Sequence, residues 1–188
     1  GISMVDLRTP AVKRYFEKLF VHWIDPHGDG SLRDGVDGFR IDHMMDDLDN
    51  KKMLPNLFAD FWAPIFRAVK ARNPSARILA EQADWGYGDA WLTRGNADLV
   101  FAFPLRGALT KLDKPAILTA LRTMDAKTPD DKEQILFVEN HDTDRYMSAV
   151  DGDPRKARIG AAATLLLAVT GAEAEAGSPA KEEVLANG

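Results

Sequence analysis

Gly35-Val36-Asp37-Gly38-Phe39-Arg40-Ile41-Asp42 is the stretch whose reading decides the fold of this chain. An apolar run, Val36 to Ile41, ends on a carboxylate, and the residues that follow (His43, Asp46, Asp47, Asp49) are polar. A buried parallel strand whose C-terminal end opens into a site has this pattern. Side chains two apart share a strand face, which puts Arg40 beside Asp42. A guanidinium there keeps the carboxylate ionised and aims its oxygens. The pair suits a nucleophile, and it equally suits a structural ion pair at a strand end.

Two later runs separate these readings. Arg77-Ile78-Leu79-Ala80-Glu81-Gln82 is a second short apolar strand ending on an acid, and Ile135-Leu136-Phe137-Val138-Glu139-Asn140-His141-Asp142 reads as a third. Strands that alternate with helices and each deliver an acid at the C-terminal end describe one face of a β/α barrel. In Gly38-Phe39-Arg40-Ile41-Asp42, Ile78-Leu79-Ala80-Glu81 and Phe137-Val138-Glu139-Asn140-His141-Asp142 the sequence resembles the alpha-amylase family of glycoside hydrolases. One such segment alone is weak; three in order are a strong signal.

The length of 188 residues, 45% hydrophobic and 28% charged, is enough for one domain with a core. A net charge of −5 argues against nucleic acid or an anionic membrane surface as partner and is compatible with a neutral sugar. Without cysteine there is no disulfide, thiolate nucleophile or Cys-based metal site. The longest apolar run, near Ala161–Val169, is about half of what a bilayer requires, and Gly1 opens no signal peptide.

In chain order, Thr9-Pro10 opens a helix whose Val12, Tyr15, Phe16, Leu19, Phe20, Trp23 and Ile24 form a core-facing stripe. The loop from Asp25 matches a calcium loop at Asp25, Asp29 and Gly30, but it has His27 at position three and Val36 in place of the bidentate Glu. A solvated connecting loop accounts for it, with calcium as the alternative. An irregular acidic loop over Met44–Pro55 precedes a helix carrying Leu57 to Val69, which stops at Asn73-Pro74. After Glu81 come a short helix at Asp89–Arg94, a strand over Ala97–Leu105 and a helix near Lys114–Met124. A last helix runs from Asp153-Pro154 through Val169.

The resemblance implies an α/β fold, a partial (β/α)8 TIM barrel comprising about units four to seven, over residues 1–170. The Ala/Glu-rich remainder, 171–188, reads as a low-complexity tail, disordered or weakly helical. A part-barrel leaves two open sheet edges, so either self-association or marginal stability is expected.

For chemistry, the resemblance implies retaining cleavage of α-glucosidic bonds in an α-glucan or oligosaccharide, as hydrolase or transglycosylase. Asp42 would be the nucleophile and Glu81 the acid/base, its apolar flank keeping a proton on it. Asp142 would be the third catalytic carboxylate, binding sugar hydroxyls and straining the ring, while His141 and Arg40 would be substrate-binding residues, Arg40 also keeping Asp42 ionised. Read singly, Asp142 also fits a turn cap and His141 a core histidine. Asp37, Asp46, Asp47 and Asp49 read as a solvated acidic rim, and Trp85 and Tyr87 as either sugar-stacking or packing residues. The chain departs from the common family pattern at His43, Met45 and Asp46, where many members carry a small residue, Lys and His. The rival reading, from another class, is a non-catalytic half-barrel that keeps the acids without turnover.

Overall fold

The structure, a computed structural model, describes residues 5–48 and 52–175, with side chains as far as 167. Its helices and strands alternate: α1 (Pro10–Ile24), β1 (Gly38–Met44), α2 (Ala63–Arg72), β2 (Arg77–Gln82), α3 (Asp89–Thr93), β3 (Leu99–Phe101), α4 (Phe103–Lys111), α5 (Lys114–Lys127), β4 (Glu133–Ile135), α6 (Tyr146–Ala149) and α7 (Pro154–Glu175). The four strands form one sheet in the order β1-β2-β3-β4, with β1 parallel to β2 and β2 parallel to β3. Sequential order with a helical crossover between parallel neighbours is barrel topology, here four strands of it. No helix among the described residues is long and apolar enough to cross a membrane.

The chain divides into two compact units. The first comprises Gly1–Phe101 and Thr128–Glu133. Its core lies between the sheet and α1–α2, where Ile41, Ile78, Ala80 and Val100 of the strands meet Phe61, Ile65, Phe66 and Val69. Phe16 packs edge-on against Phe61, and Phe20 tilts onto Phe39 of β1. Tyr15 and Trp23, expected in the core stripe of α1, are instead 62% and 53% exposed. They lie on the flank of the helix, while Phe16, Phe20 and Ile24 make the contacts with α2 and the sheet. Pro10 begins α1 as expected, but the Thr9 side chain makes no cap hydrogen bond.

The helix expected from Leu57 starts with a π-helical turn, Phe58–Trp62, before α2. Among the rim acids, Asp46 is not solvated: its Oδ1 accepts the Phe58 amide at 2.9 Å and its Oδ2 pairs with Arg94 at 2.5 Å. Asp47 Oδ2 accepts the Lys52 amide at 2.7 Å, whereas Asp37 is exposed and Asp49 lies outside the described residues. Asp25 of the calcium-like loop is buried; its carboxylate accepts the Gly28 and Gly30 amides and pairs with Arg72 of α2. Those bonds tie the loop to the helix layer. No group of three or more potential metal ligands occurs among the described residues.

The second unit comprises Ala102–Lys127 and Gln134–Gly188. It corrects two strand assignments. The strand expected over Ala97–Leu105 is only Leu99–Phe101, and Phe103 opens α4 with Pro104 in its first turn. A proline in the first turn costs no helical hydrogen bond, so the apolar run changes from strand to helix there. The strand expected to reach Asp142 ends at Ile135, whose carbonyl accepts the Ala102 amide at 3.0 Å. Beyond it the Val138 carbonyl is taken by Arg106 Nε at 3.2 Å, a side chain in place of a neighbouring strand. Asp153 does cap α7, accepting the Arg155 amide at 2.8 Å. The helix continues to Glu175, and the rest of the expected tail, 176–188, lies outside the described residues.

Candidate active site

β1 and β2 run side by side with Phe39 opposite Ile78, Arg40 opposite Leu79 and Ile41 opposite Ala80. The ladder then slips, and Met44 is the next residue to pair, with Gln82. Asp42 and His43 therefore face the single residue Glu81 across a bulge, and His43 takes the left-handed conformation, φ 42°. Bulges re-aim side chains at sheet ends and recur beside functional sites. This one turns the His43 amide onto Glu81 Oε2 at 3.0 Å.

Arg40 joins the two acids. Its Nη1 donates to Asp42 Oδ1, and its Nη2 donates to Glu81 Oε2 at 2.8 Å. Their surroundings differ sharply: the Asp42 side chain is 77% exposed and that of Glu81 6%. The Arg40 hydrogen bond is the main cause holding the Asp42 carboxyl below the usual aspartate range. Desolvation is the next contribution and opposes it, while the charge of Arg40, the neighbouring Glu81 and the charge of His43 act with it. The two neighbouring acids thus sit in different environments, one exposed and one buried, and both bond to Arg40.

The first unit thus brings Arg40, Asp42 and Glu81 together. His141 and Asp142 belong to the second unit, in the turn after β4. His141 Nε2 lies 3.1 Å from Asp142 Oδ2, and the Asp142 amide donates to Asn140 Oδ1 at 3.2 Å. The turn is closed by the Asn140 amide donating to Thr143 Oγ1 at 3.1 Å. The His141 side chain is 72% exposed, so it is not a core histidine, and that of Asp142 is 38% exposed. Glu139 is structural: it accepts the Tyr146 amide at the start of α6 and pairs with Arg145 at 2.5 Å.

Sequence reading missed Gln82. It is fully buried, and its side-chain amide bonds both backbone groups of Phe101 as well as the Gly86 carbonyl at 3.0 Å. A signal existed, since two polar residues in succession at a buried strand end point to opposite faces and each needs a partner. Nearby, Trp91 and Trp62 donate their indole N–H groups to the carbonyls of Met44 and Met45, at 2.7 and 3.3 Å, and so hold the turn after β1. Trp85 is 44% exposed and Tyr87 half-buried.

Residues 2–174 match the family model described as "Alpha amylase, catalytic domain". Among solved structures the chain is similar to a cyclomaltodextrinase, at 26% identity and a TM-score of 0.63, covering 83% of this chain and 25% of that one. It is also similar to a cyclic α-maltosyl-(1→6)-maltose hydrolase from Arthrobacter globiformis in complex with maltose, at 22% identity and a TM-score of 0.63, covering 82% and 33%. An α-amylase from H. orenii follows at 18% identity and a TM-score of 0.64, covering 85% and 32%. The chain therefore spans between 25% and 33% of the length of these structures. No curated protein matches it.

Proposed function

This chain belongs to the alpha-amylase family, and we propose that it carries the nucleophile and the acid/base of an enzyme that cleaves α-glucosidic bonds with retention of configuration. One observation carries the reading: an exposed and a buried carboxylate, at the C-terminal ends of adjacent parallel strands, share the guanidinium of Arg40. An α-glucan or maltooligosaccharide is the substrate class, in keeping with the maltose bound by the similar hydrolase from Arthrobacter globiformis.

In this mechanism the ionised Asp42 attacks the anomeric carbon while Glu81 gives its proton to the leaving oxygen. Glu81 then withdraws a proton from the acceptor that releases the sugar from Asp42. Water as acceptor makes the reaction hydrolysis; a sugar hydroxyl makes it transglycosylation. Glu81 Oε2 accepts from Arg40 and the His43 amide, so in this reading Oε1 is the oxygen that would deliver the proton. Retaining carboxyls act from about 5 Å apart around the sugar, and Asp42, with a side chain 77% exposed, is the more open of the two to substrate. His141 and Asp142, whose side chains lie 3.1 Å apart on the turn after β4, would bind sugar hydroxyls.

Proton NMR of a maltooligosaccharide digest tests the reading. The first product formed should be the α-anomer, and Asp42→Asn or Glu81→Gln should abolish it. A β-anomer formed first overturns retention, and a folded protein without turnover supports the non-catalytic half-barrel. With β1 and β4 at the two ends of the sheet, the same reading has copies of the chain associating along these edges, which a gel-filtration mass checks.

A further inference from the structure

We propose that Trp91 is a positioning residue for Glu81, acting through the backbone: its indole N–H holds the strand bulge that turns the His43 amide onto the acid. This rests on the glycosidase reading above. The bulge needs holding. A ladder without it would bring His43 opposite Gln82 and turn Met44 to the other face of the sheet. In the bulged form His43 stays in the left-handed region at φ 42°, a conformation that is unfavourable for a residue with a Cβ and persists where the surroundings impose it.

The residues that follow His43 impose it. The carbonyls of Met44, Met45 and Asp46 each accept a donor from outside β1: Trp91 Nε1 at 2.7 Å, Trp62 Nε1 at 3.3 Å and the Leu57 amide at 2.8 Å. Trp91 makes the shortest of these bonds, and makes it to the carbonyl nearest the bulge. Met44 is fully buried, with its methyl end against Gly95, where an added Cβ would lie 3.0 Å from Met44 Cε. Trp91 is itself fixed: its carbonyl accepts the Ala97 amide at 3.1 Å, and its ring packs edge-on against Phe58 with 5.4 Å between centroids. The indole thus ties the far side of the bulge to α3 and the core.

What the bulge delivers is a second donor on the acid. Glu81 Oε2 accepts from Arg40 Nη2 at 2.8 Å and from the His43 amide at 3.0 Å. A guanidinium on a flexible side chain moves with the carboxyl it holds; a backbone amide pinned in a sheet does not. The amide therefore fixes which way Oε1 points. Proton transfer depends steeply on that direction, and a misplacement of about 1 Å costs about 100-fold in rate. Asp42, next to the Ile41–Ala80 pair that either ladder keeps, is affected less.

Trp91→Phe keeps a ring against Phe58 and deletes the N–H, and NMR hydrogen exchange reads the result. Its His43 amide should exchange about three- to tenfold faster than in the wild type, the worth of one hydrogen bond, while the amides of Leu79 and Ala80 keep their wild-type rates. Wild-type exchange at His43, or faster exchange throughout the sheet, would overturn the proposal. So would an equal effect of Trp62→Phe, which frees the next carbonyl. Catalysis gives the second readout. In Trp91→Phe, kcat/KM on maltohexaose should fall about 10- to 100-fold. On α-maltosyl fluoride, whose leaving group departs without a proton, kcat/KM should stay within about threefold of the wild type. An equal fall on both substrates, or a fall on neither, overturns the positioning role and leaves the glycosidase reading standing. A wild type that turns over neither substrate overturns that reading, and this inference with it.

Discussion

The side chain of Gln82 pairs with the backbone of Phe101 as one more rung of the sheet: Nε2 donates to the Phe101 carbonyl at 2.5 Å, and Oε1 accepts the Phe101 amide at 3.0 Å. Backbone pairing between β2 and β3 stops at Ala80 with Val100, one residue before Phe101 and two before Gln82. The residue next to the proposed acid therefore locks the strand end that positions it.

Replacing Gln82 by leucine keeps the volume and removes its three hydrogen bonds, to both backbone groups of Phe101 and to the Gly86 carbonyl. Each bond is worth about 0.5–1.5 kcal/mol net, so Gln82→Leu should lower the unfolding free energy in urea by about 2–4 kcal/mol. An unchanged denaturation midpoint would show that the rung contributes nothing.

Gly38 opens the motif that names the fold, and its reason is steric. A Cβ there would lie 2.0 Å from the Arg77 carbonyl oxygen and 2.8 Å from the Arg77 nitrogen, both backbone atoms that cannot rotate away. Gly38→Ala should force β1 from β2 and destabilise the protein by about 1–3 kcal/mol or more, read as a lowered melting temperature. Wild-type melting would contradict this packing.

How far the sequence was legible follows from the residues themselves. β1 and β2 were readable because each is a short apolar run cut off by charge, and Arg40 beside Asp42 followed from the two-residue period. The run Leu99 to Leu105 was not, since an unbroken apolar stretch has no period to tell a buried strand from a helix. There Pro104 marked the first turn of α4. Leu136 to Val138 reads as strand, yet β4 ends at Ile135 and the Val138 carbonyl is taken by Arg106. Asp46, apparently one acid of a solvated rim, is tied to Phe58 and Arg94, contacts of long sequence separation that no local pattern reveals. The Asp42–Glu81 pairing was expected from two strand ends; the bulge that turns the His43 amide onto Glu81 was not.

Arg40 is expected to set the titration of Asp42. In Arg40→Gln the Asp42 carboxyl should titrate higher than in the wild type, towards the usual aspartate range, by carboxyl-carbon NMR. Because the folded-state value is the lowered one, Asp42 contributes stability above the unfolded value and loses it as pH falls through the folded value. Its share is small, the side chain being 77% exposed. An unmoved Asp42 titration would mean that Arg40 does not control it.

The central claim is that Asp42 attacks the sugar. A fluorosugar with an activated fluoride leaving group needs no proton from Glu81 and leaves a long-lived glycosyl ester on the nucleophile. Intact-mass and peptide mapping of the treated protein should show one glycosyl group, on Asp42, absent in Asp42→Asn and still formed in Glu81→Gln. A label on Glu81 or another carboxylate, or no label on the folded protein, would contradict the account.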